Sequence, residues 1–359
     1  MVNVFMRRFQ ITELSDEDHK DWNNFLVHHK ESTIFHTLEW KRVIEKTFSY
    51  QPIYLLLKDS KSELIGISPS FLARTLRGKI IVSQPFFEYG GPLVNDGFDD
   101  AYQSILKFYK SQIDAKKAKY IELRCSPNVE LNNFDKIGFI KQFKAYDFYI
   151  DITGKDFEKD IWFGLYTKKS RVRNSVNKAK DSGVKVKETR DLNIYYSLYR
   201  KTVERLGSPP YPPAFFKNIE KYVGSSVRFT YAYLGETPIA AMMSFPYKKR
   251  DLMVGLVSDE YYQEYRANDL LYNEQIEYAT RNGFDVVDFG RTRPNSYYER
   301  YKKKWGATRC DLYSYIYPTS FGKDVNPYLY YLMFSKITKK MPWVLTRTGI
   351  GSYIIKQFP

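Results

Sequence analysis

The residues best suited to chemistry lie close together near the end of the sequence. Asp288 belongs to a short apolar segment, and Arg291 and Arg293 follow it in a turn that also contains glycine and proline. A polar, aromatic loop then leads into the consecutive lysines Lys302 to Lys304, which precede a strand of alternating apolar and polar residues. A cation beside a reacting carbonyl stabilises the oxyanion that forms in acyl transfer. The cluster therefore predicts a site for an anionic group.

The sequence lacks the residue patterns typical of covalent catalysis and of metal binding. The four histidines all lie near the N-terminus, and the two cysteines, Cys125 and Cys310, form neither a disulfide framework nor a metal-binding motif. We therefore expect no covalent enzyme intermediate, no metal and no bound cofactor. Asp288 and Glu299 are the candidates for a general base. For Asp288, a salt bridge to Arg291 or a turn cap is the structural alternative.

Composition points to anionic partners. The net charge of +15 and the pI of about 9.4 favour nucleic acid, phosphorylated small molecules or an anionic membrane, although a solvated basic surface has the same composition. With 359 residues, 43% of them hydrophobic, the chain is long enough for two domains that each bury a core. No apolar segment has the length of a signal peptide or of a membrane span. We expect a monomer in the cytoplasm.

Apolar periodicity predicts an α/β fold made of two similar halves. Each half contains a strand–turn–strand segment and a helix followed by a strand, which favours mixed sheets flanked by helices. The predicted domains are residues 1–153 and 154–320, and the second is expected to hold the chemistry. Residues 321–359 are predicted to form a basic, amphipathic helical tail. This tail either packs across a domain or lies on the inner face of an anionic membrane.

One predicted helix, over 168–182, is strongly basic. Its cations are Lys168, Lys169, Arg171, Arg173, Lys178 and Lys180. Such a face can bind a phosphate backbone with release of counterions, and a solvated helix face is the alternative.

The order of elements in each half resembles the GNAT acyltransferase fold. In ordinary members, a glycine-containing loop before the main helix holds the pyrophosphate of acetyl-CoA through backbone amides. The equivalent residues here are Gln263 to Asn268, and the glycines are absent. This difference weakens the prediction of a CoA donor.

Five motifs, in order along nearly the whole chain, resemble the FemABX family. They are FHTLEW, SQPFFEYGGPLV, TKKSRVRNSVNKAKDSGV, KTVERLGSPPY and DFGRTRPNSYYERYKKKWG. The resemblance is strongest to the FemAB-related branch found with surface-polysaccharide and exosortase-type systems. It implies two tandem GNAT-like domains and a non-ribosomal peptidyltransferase, which joins an amino acid from aminoacyl-tRNA to an amine on a cell-envelope precursor.

The resemblance also implies roles for individual residues. Lys302 would stabilise charge on the reacting carbonyl, and Lys303 and Lys304 are substitutes because the alignment across the three lysines is ambiguous. Arg205, in a T-x-x-R step, would contact the phosphates of the acceptor. The family's acceptor lysine in the first domain has no clear equivalent after Trp40.

Four further side chains complete the predicted substrate site. Arg291 and Arg293 lie at a strand end, where clefts form in α/β sheets, and loop-stabilising salt bridges are their structural alternative. Tyr298 and Lys304 are assigned to substrate binding, although tyrosines in such segments are more often core or rim residues.

The sequence thus predicts a FemABX-like aminoacyl or acyl transferase, with aminoacyl-tRNA as donor and a peptidoglycan-type or surface-polysaccharide precursor as acceptor. One alternative is a GNAT-type N-acyltransferase that uses acyl-CoA on an amino sugar or similar amine. Another is a basic binding module without catalysis, for nucleic acid or anionic lipid.

Overall fold

The computed structural model of the protein describes residues 9–76, 78–166, 170–319 and 349–359. Within these ranges the chain forms two compact units. The first consists of residues 9–144, 311–319 and 353–359, and the second of residues 145–310 and 349–352. The sequence pattern, which predicts a boundary after residue 153, gives no sign that the two halves exchange their last strands.

The first half of the chain contains seven strands and four α-helices among its described residues. The strands are β1 (Gln10–Glu13), β2 (Gln51–Lys58), β3 (Leu64–Thr75), β4 (Gly78–Val82), β5 (Leu93–Val94), β6 (Tyr120–Arg124) and β7 (Ile140–Asp151). The helices are α1 (His19–His28), α2 (Leu38–Phe48), α3 (Ala101–Asp114) and α4 (Phe134–Ile137).

The described part of the second half begins with a π-helix and continues with alternating helices and strands. The helices are the π-helix (Phe157–Leu165), α5 (Ser170–Asp181), α6 (Leu192–Leu206), α7 (Pro213–Val223), α8 (Ala267–Arg281), α9 (Tyr297–Lys304) and α10 (Ile350–Ile355). The strands are β8 (Val184–Glu188), β9 (Arg228–Leu234), β10 (Thr237–Tyr247), β11 (Arg250–Ser258), β12 (Val286–Asp288) and β13 (Thr308–Tyr317).

The two units repeat one sheet topology. In the first, the strand order is β1-β2-β3-β4-β6-β13, and in the second it is β8-β9-β10-β11-β12-β7. Every neighbouring pair whose register is known is antiparallel except one in each unit, β4 with β6 and β11 with β12, which are parallel. Each parallel pair is joined through a helix, α3 or α8. The predicted α/β fold with two GNAT-like units is confirmed.

Helices form where the sequence places apolar residues on one face. The predicted faces are buried: Trp40, Ile44 and Phe48 in α2, and Val172, Val176 and Ala179 in α5. None of the described helices is both long and apolar enough to cross a membrane.

One predicted loop is a helix. The segment before and through the lysines forms α9, because Ser296 accepts a hydrogen bond from the Glu299 amide (3.3 Å) and Glu299 accepts one from the Asn295 amide (2.8 Å). The Ser296 side chain thus caps the first turn of the helix, and Glu299 holds the residue before the cap. The three lysines therefore lie on a helix and not in a loop, and their side chains point in different directions.

The predicted tail lies mostly outside the described residues, which resume at residue 349. The last residues pack on the first unit. Tyr50 donates a hydrogen bond to the carbonyl of Lys356 (2.8 Å), and Gln357 accepts one from the amide of Leu76 (2.7 Å).

Candidate active site

The two parallel strands of the second unit are paired over three residues only. Arg250–Leu252 of β11 faces Val286–Asp288 of β12. The chain then turns at Gly290 and follows β7, whereas β11 continues to Ser258. The strands separate at their C-terminal ends, which is where open α/β sheets bind ligands.

A bulge lies on β11 beside this separation. Met243 of β10 faces Gly255 and Ser244 faces Met253, so Val254 is an extra residue in the ladder. The extra residue of a bulge does not take part in regular strand pairing. The Val254 main chain therefore lies outside the regular ladder between β10 and β11.

Lys302 fixes the turn that follows β12. Its side chain is buried, and its Nζ donates hydrogen bonds to the carbonyl oxygens of Phe289 (2.5 Å), Gly290 (2.8 Å) and Arg291 (3.3 Å). Gly290 has a φ of 69°, and a Cβ there would lie 2.8 Å from the carbonyl oxygen of Met253. Only glycine fits this turn, and the lysine ammonium satisfies the carbonyls that the turn exposes.

The Lys302 amine is strongly perturbed. Burial lowers the pKa of Lys302 to about 8, and the charges of Asp147 and Asp288 act in the opposite direction. Both aspartates are completely buried. The amine therefore changes its charge at a mildly alkaline pH, which is a property found more often at functional sites than elsewhere.

Asp288 is held by two donors. Its Oδ2 accepts a hydrogen bond from Arg250 (2.6 Å), and its Oδ1 accepts one from the Gly290 amide (2.7 Å). The turn cap considered for Asp288 is present, and its salt bridge is made with Arg250 and not with Arg291. The assignment of Asp288 as a base stays a prediction, because both oxygens are already engaged in positioning the turn.

Cys310 also borders this cluster. Its Sγ lies 3.8 Å from Oδ2 of Asp147. Burial, reinforced by the charges of Asp147 and Asp288, raises the pKa of the Cys310 thiol to about 12. The thiol stays protonated at physiological pH, and the thiolate is the nucleophilic form.

The other two lysines of the run point elsewhere. Lys303 donates to Glu299 within α9 (2.7 Å) and is exposed. Lys304 forms an ion pair with the buried carboxylate of Asp269. Of the three lysines, only the first binds the turn.

The remaining predicted residues of this region lie at the surface. Arg291 and Arg293 have exposed side chains, and Tyr298 is 47% exposed. Arg291 contributes to the cluster through its main chain, because its carbonyl accepts from Lys302. The structure thus brings Lys302 and Asp288 together and leaves these three side chains around them as rim residues.

Arg205 lies at the end of α6. Thr202 of the same helix hydrogen-bonds to the main chain of Ser258 at the end of β11 (3.1 Å and 3.2 Å). This contact places the last turn of α6 at the end of β11 where the strands separate. Within the described part of the chain, the buried Nε of Arg205 has no hydrogen-bond partner.

The loop before α8 contains a residue in a backbone conformation that favours glycine. Arg266 has a φ of 55°, a conformation that glycine adopts most easily. In the first turn of α8, Asp269 is buried and accepts a hydrogen bond from Tyr301 (2.9 Å), beside its ion pair with Lys304. A carboxylate therefore occupies the helix start at which GNAT enzymes hold pyrophosphate.

The corresponding position of the first unit is closed. Glu122 pairs with Val82 across the parallel strands, as Asp288 pairs with Leu252. Glu122 is buried and forms ion pairs with Arg124 (3.2 Å) and Lys144 (3.3 Å). Although burial acts to raise the pKa of Glu122, these cations hold it well below its usual range.

Sequence reasoning missed three charged residues. Arg250 forms an ion pair with Asp288, and Asp269 forms one with Lys304. The charge of Asp147 acts to raise the pKa of Lys302. The signals were weak but present: Asp147 lies between Tyr146 and Phe148, and Asp269 directly precedes Leu270 and Leu271, so each acid needs a partner if its segment is buried.

Comparisons with known proteins agree with this architecture. A family model described as an acetyltransferase (GNAT) domain matches residues 167–303. No curated protein matches the chain in sequence.

Three solved structures illustrate the similarity of fold. FemX is 15% identical, with a TM-score of 0.66, and the alignment covers 90% of this chain and 100% of FemX. A C-terminal domain assigned to a lysylphosphatidylglycerol synthetase in Agrobacterium fabrum is 9% identical, with a TM-score of 0.58 and coverage of 90% and 96%. A tandem GNAT protein from the clavulanic acid biosynthesis pathway is 12% identical, with a TM-score of 0.53 and coverage of 86% and 98%. The chain thus has the tandem GNAT fold that FemX also has, and the GNAT domain match lies in its second half.

Proposed function

We propose that the protein transfers an aminoacyl or acyl group from an activated donor to an amine, by direct attack and without a covalent enzyme intermediate. The donor carbonyl would lie between the open edge of β11 and the turn after β12. The observation that carries this proposal is the buried Lys302, whose ammonium is fixed at the point where the two strands separate.

Lys302 can serve the reaction through its weakest hydrogen bond. Attack of an amine on an ester or thioester carbonyl creates an oxyanion, and a fixed cation stabilises it. The bond from Lys302 to the Arg291 carbonyl is the longest of the three, at 3.3 Å. An oxyanion that replaces this carbonyl would gain a charged donor while the other two bonds keep the amine in place.

The proposed donor is an aminoacyl ester carried on RNA. Side chains at Arg266 and Asn268 replace the small residues that let a pyrophosphate approach the backbone. The carboxylate of Asp269 at the same helix start holds Lys304 in an ion pair, so this cation is not available to a pyrophosphate. Both features disfavour CoA, and neither affects an ester whose carrier lies outside this loop.

The proposed acceptor is an amine on an anionic cell-envelope precursor. The buried Nε of Arg205, which has no hydrogen-bond partner among the described residues, is suited to donate to a phosphate oxygen, since a buried donor without an acceptor is unfavourable. The resemblance of the five motifs to the FemABX family supports this acceptor. The lysylphosphatidylglycerol synthetase domain shares the fold, and its name connects that fold with a lipid.

The direct test offers several donors and acceptors to the purified protein. Charged tRNAs, acyl-CoAs and envelope-precursor extracts are supplied in all combinations, and products are identified by mass. A new amide that requires aminoacyl-tRNA supports the proposal. An amide that forms only with acyl-CoA supports the alternative that the GNAT domain match favours, and binding without any product would support a non-catalytic module.

A further inference from the structure

The outer side of α5 carries cations without acidic partners. Arg171, Lys178 and Lys180 are exposed and Arg173 is partly exposed. None of these four forms an ion pair with any residue that the structure describes. They are called the basic face below. Two rows, Arg171 with Lys178 and Arg173 with Lys180, are each separated by two helical turns, about 10 Å.

Neutral polar residues fill the spaces between these cations. From Ser170 to Lys180 the helix contains no acidic residue, and its exposed or partly exposed neutral positions are asparagine or serine. On the flank toward α8, Glu274 is within electrostatic reach of Lys180. The basic face therefore combines cations that form no ion pair among the described residues with hydrogen-bonding groups, as surfaces that bind a phosphate backbone do.

An aromatic pair borders the basic face. The Arg173 guanidinium lies 5.5 Å from the ring centre of Trp162 and 5.1 Å from that of Phe163, and Lys180 lies 5.0 Å from Trp162. Phe163 is 59% exposed. An exposed ring beside an arginine is the type of platform on which unpaired bases stack.

The segment that carries Trp162 and Phe163 ends next to the helix that carries Lys302. Tyr166, four residues before α5, packs edge-on against Trp305 with 5.6 Å between ring centres. A Cβ on Gly306 would lie 3.0 Å from Leu165. The end of the segment that carries Trp162 and Phe163 therefore packs against the end of α9 within the second unit.

We propose that the basic face and Phe163 bind RNA. The cations hold the phosphates of a duplex, and Phe163 receives an unpaired base of the 3′ strand on its way to Lys302. This inference rests on the proposed function in one respect, because it takes RNA as the carrier of the donor group. A membrane is a poorer fit: interfacial helices present a broad apolar side to the lipid, whereas here one exposed ring lies among cations.

Two pairs of substitutions with the same charge change test the surface. Arg171→Gln/Lys178→Gln removes one row of the basic face. Lys185→Gln/Lys187→Gln is the matched control, because these exposed lysines of β8 alternate with Val184 and Val186, which pack in the core beside α5. The probe is an RNA hairpin with a single-stranded 3′ end.

We expect the α5 pair to weaken RNA binding about tenfold and to reduce the slope of log K against log salt by about 1.4 to 1.8, since each of the two lost phosphate contacts removes about 0.7 to 0.9. The β8 pair should leave both quantities unchanged. Phe163→Ala should weaken binding of this hairpin about fivefold and leave binding of a blunt-ended hairpin unchanged. Equal losses in the α5 and β8 pairs, or binding that tolerates the α5 pair, would overturn the inference.

Two further measurements separate this inference from the proposed function. The first is sedimentation with vesicles of equal parts phosphatidylglycerol and phosphatidylcholine. If the α5 pair loses vesicle binding, the β8 pair does not, and RNA binding stays intact, the face binds membranes and the proposal is overturned. Lys302→Met should abolish amide formation and keep RNA binding. If RNA binding depends on α5 but no aminoacyl-RNA is consumed, the docking surface stands and the proposed donor fails.

Discussion

The Nζ of Lys302 lies 2.8 Å from the carbonyl oxygen of Gly290, the residue at which the chain leaves β12. A lysine that is 4% exposed thus neutralises a turn whose backbone only glycine can adopt. A buried ammonium is costly unless it is fully hydrogen-bonded. Lys302 and the turn after β12 therefore depend on one another. Most of the predictions below follow from this pair.

Replacing Lys302 by methionine should reduce transfer at least 100-fold, because loss of one fixed donor to an oxyanion typically costs that much in kcat. Single-turnover amide formation measures the effect. Arg300→Met is the matched control, since Arg300 is an exposed cation on the same helix. It should retain its activity within twofold. Equal activity of the Lys302→Met variant and the native protein would remove Lys302 from the mechanism.

The lowered pKa of Lys302 predicts that the free energy of unfolding depends on pH. The folded pKa of Lys302, about 8, lies below the ordinary value of 10.5. Between these pH values the unfolded chain holds a proton that the folded protein has released, so this residue makes the folded state more stable as pH rises. Guanidinium unfolding of the native protein and Lys302→Met from pH 7.5 to 10.5 measures the difference. The native protein should gain stability relative to the variant, and parallel curves would contradict the perturbed pKa.

Asp288→Asn should shift the alkaline limit of activity to lower pH. The Asp288 carboxylate acts to raise the pKa of Lys302, against the effect of burial. Removal of this charge therefore lowers the pKa of Lys302 further. If the charged amine is the active form, the fraction of active protein then falls at a lower pH. Rates of amide formation across pH 6 to 10 give the profile. Asp285→Asn, at the start of the same segment, is the control and should keep the native profile.

Much of the fold could be predicted from the sequence, because apolar periodicity reports which faces are buried. The core faces of α2 and α5 were readable in this way, and so was the strand that precedes Gly290. The exchange of β7 and β13 between the units was not readable, since a strand's pattern shows that it is buried and not which sheet it joins.

The types of residue in the candidate site could be predicted from the sequence, but the directions of their side chains could not. Three adjacent lysines have the same chemistry on paper, but successive positions on α9 point about 100° apart. Only Lys302 faces the turn, and Lys304 reaches Asp269. The pair Ser296 and Glu299 signalled this helix, and a search for the S-x-x-E capping pattern would have found it.

Glu122→Gln should destabilise the first unit by about 3 kcal/mol, because it removes the anion from a buried cluster and leaves Arg124 and Lys144 partly uncompensated. Its depressed pKa means that this stabilisation is lost as pH falls below the ordinary value of 4.5. The difference between native and variant should therefore shrink in acid. Glu130→Gln, whose partner Lys141 is at the surface, is the control and should cost less than about 1 kcal/mol.

Removal of Asp269 should change which donor the protein accepts. Arg266→Gly/Asn268→Gly restores small residues to the loop before α8, yet the buried carboxylate still opposes a pyrophosphate there. Adding Asp269→Ala removes that charge and frees Lys304 to bind phosphate. We expect the triple variant to bind CoA at least tenfold more tightly than the double variant in calorimetry. Pantetheine, which lacks the phosphates, should bind the two equally. Micromolar CoA binding by the native protein would show instead that the carboxylate is no barrier, and acyl-CoA would become the preferred donor.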